Sequence, residues 1–72
     1  MVDTIAIGRA MQAAREKAGM SKQQLADASG ISVKSISLYE RGGGLPILYN
    51  AIAIAAALGV SLDTLIGWEV HP

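Results

Sequence analysis

The sequence predicts an all-α fold made of five short helices. Apolar residues recur at spacings of three and four along segments separated by short breaks, and each predicted helix is followed by a glycine. No stretch alternates apolar and polar residues for long enough to form a half-buried strand. With 72 residues the chain is near the size at which one core is marginal, so we expect a single domain over 1–72 to which every helix contributes.

The first helix is predicted over residues 5–18. Its inward stripe has apolar residues spaced by four, three and four: Ile7, Met11, Ala14 and Ala18. Arg15 lies beside this stripe, and a half-buried guanidinium requires an acidic partner. We expect Glu40, near the end of the third helix, to form a structural salt bridge with Arg15; a solvated Arg15 is the alternative.

The second and third helices are predicted over 22–29 and 32–41, with a tight turn between them. Ser21 begins a capping-box pattern at the start of the second helix. Gly30 can adopt the left-handed conformation that ends this helix, and Ser32 can cap the next one two residues later. Two helices joined so closely, with a polar and basic face on the second, are typical of a DNA-binding helix-turn-helix.

The fourth helix is predicted over 47–58, and a short fifth helix follows the capping residue Ser61. The side of the fourth helix expected to face the core carries Leu48, Ile52, Ala55 and Leu58. Apolar residues also occupy its remaining sides: Ile47, Tyr49, Ala53, Ile54 and Ala56. A helix that is apolar all round is usually covered on more than one side, so this pattern indicates either a subunit interface or a harmless apolar surface.

The predicted homodimer interface joins the fourth helix, the fifth helix and the tail Trp68-Glu69-Val70. Its residues are Ile47, Tyr49, Leu62, Thr64 and Trp68. Composition favours a covered surface, because 51% of the residues are hydrophobic and only 17% are charged. For Trp68 the alternative is packing onto its own core.

The formal net charge is zero, but the charges are unevenly distributed. Residues 1–41 contain all six Lys and Arg with four acidic residues, for a charge of +2, whereas residues 42–72 carry −2. The basic part therefore coincides with the predicted helix-turn-helix, as phosphate binding requires.

Several classes of function are excluded by composition. The chain has no cysteine, and a lone His71 cannot form a metal or catalytic cluster. No carboxylate pair, nucleophile with a base, or cofactor fingerprint is present, so we expect no enzyme, cofactor or small-molecule ligand. The longest apolar run, around 51–58, is too short to span a bilayer and no signal-peptide layout is present, so we expect a cytoplasmic protein.

Four segments together resemble a known family over about residues 7–67. They are Arg-Glu-Lys-Ala-Gly-Met-Ser-Lys-Gln-Gln-Leu-Ala at 15–26, Gly-Ile-Ser at 30–32, Ser-Ile-Ser-Leu-Tyr-Glu-Arg-Gly at 35–42 and Ala-Leu-Gly-Val-Ser-Leu-Asp at 57–63. In this order and spacing they resemble the phage repressor and Cro type of domain, also called lambda-repressor-like or xenobiotic-response-element type. The resemblance implies a compact five-helix domain that binds double-stranded DNA, usually as a dimer on a two-fold operator.

The resemblance also implies which residues contact DNA. The positions that match are Lys22, Ser32, Val33, Lys34, Ser37 and Leu38, and we also expect Gln23 and Arg41 to contact DNA. Lys34 could donate to a guanine edge or a phosphate, Ser37 to any base, and Val33 could contact a thymine methyl group. Arg9 and Arg41 are candidates for binding the DNA backbone. The loop Gly42-Gly43-Gly44-Leu45 stands where such domains often carry Lys or Arg, so it offers no cationic side chain to a phosphate.

We therefore predict a sequence-specific DNA-binding transcriptional regulator, a small dimeric repressor of phage or prokaryotic type. The alternative is a protein-interaction or antitoxin-like module on the same fold, with weak or no DNA binding. Zero net charge, Leu38 on the reading face and the apolar fourth helix favour this alternative.

Overall fold

The computed structural model describes residues 3–68 and contains five α-helices in that range. They are α1 (Thr4–Lys17), α2 (Lys22–Ser29), α3 (Val33–Glu40), α4 (Leu48–Leu58) and α5 (Leu62–Ile66). The all-α prediction is confirmed. The predicted helix bounds differ from the observed ones by at most one residue at each end, because the sequence supplies a cap or a glycine at nearly every boundary.

Short polar side chains begin four of the five described helices. Asp3 Oδ1 accepts a hydrogen bond from Ile5 N at 2.9 Å at the start of α1. A reciprocal capping box between Ser21 and Gln24 begins α2. Serine side chains cap α3 and α5 in the same way, whereas Ile47 precedes α4 without a side-chain cap.

Four of the five described helices end in the Schellman hydrogen-bond pattern. After α3, Gly42 has a φ of +77°, and its N–H donates to the Tyr39 carbonyl at 3.1 Å. The next residue, Gly43, donates to the Leu38 carbonyl at 3.0 Å. After α1, α4 and α5 the residue in the position of Gly43 has a large apolar side chain: Met20, Val60 and Trp68. Only the motif after α3 has no side chain there.

Each described helix contributes one fully buried large side chain to a common core. These side chains are Met11, Leu25, Ile36, Ile54 and Leu65. Helix α1 packs against α3 and α5, while α4 packs against α2 and α5. The core therefore lies between all five helices, and α2 and α3 are held from behind by α4 and α1.

The predicted inward side of α4 is correct for Ala55 and Leu58, which are buried, and wrong for the other two residues. Leu48 and Ile52, expected in the core, are 68% and 50% exposed. The buried side of α4 consists of Ala51, Ile54, Ala55 and Leu58. Because α4 is apolar on every side, its sequence pattern cannot orient it, and contacts with α2 and α5 decide which side is buried.

The predicted inward stripe of α1 is correct except at its last residue. Ala18 is exposed because the helix ends at Lys17 and Ala18 is already the C-cap. Gly8, to which the sequence analysis assigned no role, is buried on this stripe. A Cβ atom on Gly8 would lie 2.4 Å from the Tyr39 carbonyl oxygen and 2.6 Å from that of Glu40. The absence of a side chain at Gly8 therefore allows α1 to approach the end of α3. A glycine inside an apolar helical stripe is the sequence signal that could have found it.

Candidate nucleic-acid interface

The turn between α2 and α3 is fixed by local hydrogen bonds. Gly30 has a φ of +76°, and its N–H donates to the Ala26 carbonyl at 2.9 Å. Ser29 Oγ accepts from Ile31 N at 3.2 Å, and Ser32 Oγ accepts from Ser35 N at 3.1 Å. These contacts determine how α3 leaves α2, so the outer face of α3 is presented in one orientation.

A buried ion pair fixes the other end of α3. Arg15 Nε donates to Glu40 Oε2 at 2.7 Å, and a second guanidinium nitrogen donates to Glu40 Oε1 at 2.9 Å. A third nitrogen of Arg15 donates to the Met20 carbonyl at 2.8 Å. The hydrogen bonds and charge of Glu40 outweigh the effect of burial and raise the pKa of Arg15 above its usual value. Arg15 therefore remains charged and joins α1, the loop before α2 and the last residue of α3.

The predicted polar and cationic DNA-contact residues lie mostly at the surface. Six are exposed: Arg9, Lys22, Gln23, Ser32, Lys34 and Arg41. Lys34, Ser37 and Arg41 follow one another at spacings of three and four, so they share the outer face of α3 and its C-cap. Gln23 Nε2 donates to Asp27 Oδ1 at 3.0 Å, which holds the amide along the outside of α2.

The two apolar residues predicted on this face are only half-exposed. Val33 packs partly against the core, which leaves its remaining surface at the start of α3. Leu38 has its δ carbons over the backbone of Gly43 and Gly44. The structure thus separates a polar surface, around Lys34, from an apolar contact with the glycine loop.

The predicted interface residues differ in exposure. Ile47 is 68%, Tyr49 75% and Trp68 53% exposed, and Thr64 is also exposed. Leu62 is half-buried against the core. Glu69 and Val70, also predicted in this interface, and His71 lie outside the described residues.

Residues 45–52 carry most of the exposed large apolar side chains of the described residues. These side chains are Leu45, Ile47, Leu48, Tyr49 and Ile52, each about half exposed or more. Tyr39 and Asn50 connect this surface to α3, because Asn50 Nδ2 donates to the Tyr39 hydroxyl at 3.2 Å. This hydrogen bond could not be predicted from the sequence, because the two residues are 11 apart and lie on different helices.

Residues 3–68 contain neither a metal-ligand cluster nor a membrane-spanning helix. In this part of the chain, no group of three or more His, Cys, Asp and Glu residues is arranged to hold a metal ion. None of the helices described is both long and apolar enough to cross a membrane.

Comparison with known proteins identifies the family. Residues 11–65, more than half of the chain, match the model of the helix-turn-helix family. The chain belongs to the helix-turn-helix family. The resemblance to phage repressor and Cro domains is confirmed, and α2 and α3 are the two helices of the motif.

Two helix-turn-helix proteins show how far the similarity extends. The cryptic phage CTXphi transcriptional repressor RstR of Vibrio cholerae is 43% identical over 53 residues, which cover 74% of this chain and 47% of the repressor. The chain thus spans about half the length of this relative. The crystal structure of the restriction-modification controller protein C.AhdI from Aeromonas hydrophila matches with a TM-score of 0.84 at 28% identity, covering 90% of this chain and 98% of that one. This match confirms the five-helix architecture.

Proposed function

We propose that this chain is a sequence-specific double-stranded DNA-binding transcriptional regulator with α3 as its reading helix. The observation that carries the proposal is the exposed Lys34 on the outer face of α3, a helix braced at its end by the Arg15–Glu40 pair. A reading helix must be rigid, because base contacts require side chains to be held within a fraction of an ångström. Membership of the helix-turn-helix family supports the same assignment.

We assign the predicted residues two kinds of contact. Val33, Lys34 and Ser37 face base edges in the major groove, where Lys34 donates to guanine and Val33 contacts a thymine methyl group. The backbone phosphates are contacted by residues around the helix ends: Lys22, Gln23, Ser32 and Arg41. Leu38, the remaining predicted residue, lies against the glycine loop.

The number of cations limits the electrostatic part of binding. About four basic side chains of each subunit can approach DNA, so the logarithm of affinity should fall with that of salt with a slope no steeper than about −7 for a dimer. Specificity therefore depends strongly on methyl contacts, DNA shape and the spacing of two subunits.

We propose a homodimer as the DNA-binding form. The exposed apolar surface of residues 45–52 supplies an area that a monomer would leave in water. A second copy covering it, with Leu62, Thr64 and Trp68 at the edge, would form a two-fold interface suited to a two-fold operator. By analogy with RstR, whose name describes a transcriptional repressor, we propose repression in the cytoplasm as the outcome.

A binding titration tests the proposal. The protein is titrated on random-sequence duplex at two salt concentrations, and we expect association that weakens as salt rises. Selection of bound sequences from a random DNA pool should then yield a two-fold symmetric site, with half-sites separated by about one helical turn. Absence of salt-sensitive association would refute DNA binding.

The second candidate is a protein-interaction module on the same fold. It is favoured by the exposed Ile47, Leu48 and Tyr49, which resemble a docking surface more than a solvated helix end. The same titration separates the two functions, because an antitoxin-like module would show no salt-sensitive binding to random duplex.

A further inference from the structure

In the loop after α3, the side chains of Leu38 and Arg41 both lie close to Gly43. A Cβ atom on Gly43 would lie 2.7 Å from Leu38 Cδ1, which is closer than two carbon atoms can approach without movement. It would also lie 3.3 Å from Arg41 Nε. The φ of Gly43 is outside the positive range, so its backbone conformation suits any residue, and an added methyl group would instead displace the side-chain ends of Leu38 and Arg41.

Gly44 provides a contrast within the same loop. A Cβ atom there would lie 3.4 Å from Leu38 Cδ2, an ordinary van der Waals contact. Gly44 has no positive φ, so alanine fits there both in backbone conformation and in space. Of these two glycines, only Gly43 is placed so that an added methyl group would displace Leu38 and Arg41.

We propose that Gly43 is a positioning residue for Arg41. Because it has no Cβ atom, Leu38 packs over the loop and the Arg41 side chain lies beside the end of α3, where its guanidinium can reach a DNA phosphate. This inference rests on the proposed DNA binding. It assigns Leu38 to the support of the loop instead of a base.

The Schellman motif after α3 explains why Leu38 packs over the loop. In this motif the residue after the left-handed glycine usually has an apolar side chain that packs back onto the last turn of the helix. Gly43 has none, so the δ carbons of Leu38 cover the exposed loop backbone instead. Three consecutive glycines would otherwise be highly mobile. A loop held by Leu38 restricts Arg41 before DNA binds, which reduces the entropy lost on binding.

The salt dependence of binding to a selected duplex tests this role. We expect Arg41→Ala and Gly43→Ala each to flatten the slope by about 0.9 per subunit, the value for one lost phosphate contact. The double variant Arg41→Ala/Gly43→Ala should be no flatter than Arg41→Ala alone. Gly44→Ala is the matched control and should keep the wild-type slope. A purely structural role for Gly43 would lower affinity without changing the slope.

Removing Leu38 tests the steric cause. In a Leu38→Ala background there is room for a methyl group at position 43, so adding Gly43→Ala should leave the slope equal to that of Leu38→Ala. If Gly43→Ala alone does not fold, this comparison still tests whether Leu38 is the group that the added methyl group displaces. A wild-type slope for folded Gly43→Ala, or a flatter slope for Leu38→Ala/Gly43→Ala than for Leu38→Ala, overturns the inference. Wild-type protein without salt-dependent binding instead overturns the proposed function itself.

Discussion

At the scale of single residues, Arg15 and Lys34 carry the same charge in different surroundings. The charge of Arg15 stabilises the fold, whereas that of Lys34 is available to bind DNA. The Arg15 guanidinium uses three nitrogens inside the protein, on Glu40 and the Met20 carbonyl. Lys34 is exposed on the outer face of α3. Their substitution should therefore affect different measurements.

Replacing Arg15 by Ala should lower the free energy of unfolding by about 3 kcal/mol, because Glu40 would remain buried without its partner. The pKa of Arg15 is raised, so its contribution is complete below the pKa of an unfolded arginine and is lost only as pH rises through the higher folded value. The loss should thus be the same at neutral and mildly alkaline pH in denaturant titrations. Lys17→Ala, an exposed change in the same helix, is the control. A loss no larger than that of the control would contradict the structural role.

Replacing Lys34 by Ala should weaken binding to the selected duplex and leave the thermal midpoint nearly unchanged. If Lys34 contacts a base, discrimination at that base pair should relax by about 1–3 kcal/mol. If it contacts a phosphate, the salt slope should flatten by about 0.9 per subunit for all sequences. Lys17→Ala again provides the control, since it removes an exposed charge that was not predicted to contact DNA. A shift in thermal midpoint as large as the loss of affinity would indicate a structural side chain.

At the scale of helices, the contact between α1 and α3 sets the position of the reading helix. Gly8 brings the α1 backbone against the carbonyls of Tyr39 and Glu40, and about two turns later the Arg15 guanidinium reaches the same end of α3. Both contacts hold the C-terminal end of α3, where Arg41 follows. A displacement of α1 would therefore move the residues proposed to contact DNA.

Helix propensity and packing give opposite predictions for Gly8→Ala. At an exposed helical position, alanine would stabilise by about 1 kcal/mol relative to glycine. At Gly8 the added methyl group would lie 2.4 Å from a backbone oxygen, so we expect destabilisation by about 1–3 kcal/mol instead. Denaturant titration shows whether Gly8→Ala raises or lowers the free energy of unfolding.

The control for Gly8→Ala is Ala13→Gly, an exposed position in the same helix, which should lose about 1 kcal/mol from propensity alone. Stabilisation by Gly8→Ala would show that α1 and α3 do not approach as closely as described.

At the scale of the whole molecule, basic and apolar surfaces are divided between two parts of the chain. All six Lys and Arg precede residue 42, and most exposed large apolar side chains of the described residues follow it, at 45–52. A standard interface buries roughly 800 Å² on each partner. In the proposed homodimer, a second copy covers the apolar side chains of residues 45–52 while Lys34 stays available to DNA.

Replacing Ile47 by Glu should weaken the proposed homodimer at least about tenfold, because the dimer would bury an unpaired carboxylate. The monomer should stay folded, since Ile47 is 68% exposed and a carboxylate is favourable before the N-terminus of α4. Analytical ultracentrifugation over a range of concentrations measures the effect. Ala13→Glu adds the same charge at an exposed site on α1 and should leave association unchanged. A wild-type protein that stays monomeric at high concentration would refute the interface.

Local features of the sequence determined the helices and the turn between α2 and α3. Serine caps, a capping box and glycines at helix ends act through the backbone of adjacent residues, so they can be recognised without the fold. The Arg15–Glu40 pair was also predicted, because a charge beside an apolar stripe requires a partner. The family followed from the order and spacing of these features.

Only the tertiary structure decided which sides of the helices are buried and where close approaches occur. Ile54 is in the core and Leu48 is exposed because α2 and α5 orient a helix whose own pattern is apolar all round. Gly8 lies against the carbonyls of Tyr39 and Glu40, more than 30 residues later in the chain. Gly43 lies against Leu38, five residues earlier, at the end of α3. A glycine within an apolar stripe can signal a close approach, but which atoms it meets depends on how the folded chain places the helices and their side chains.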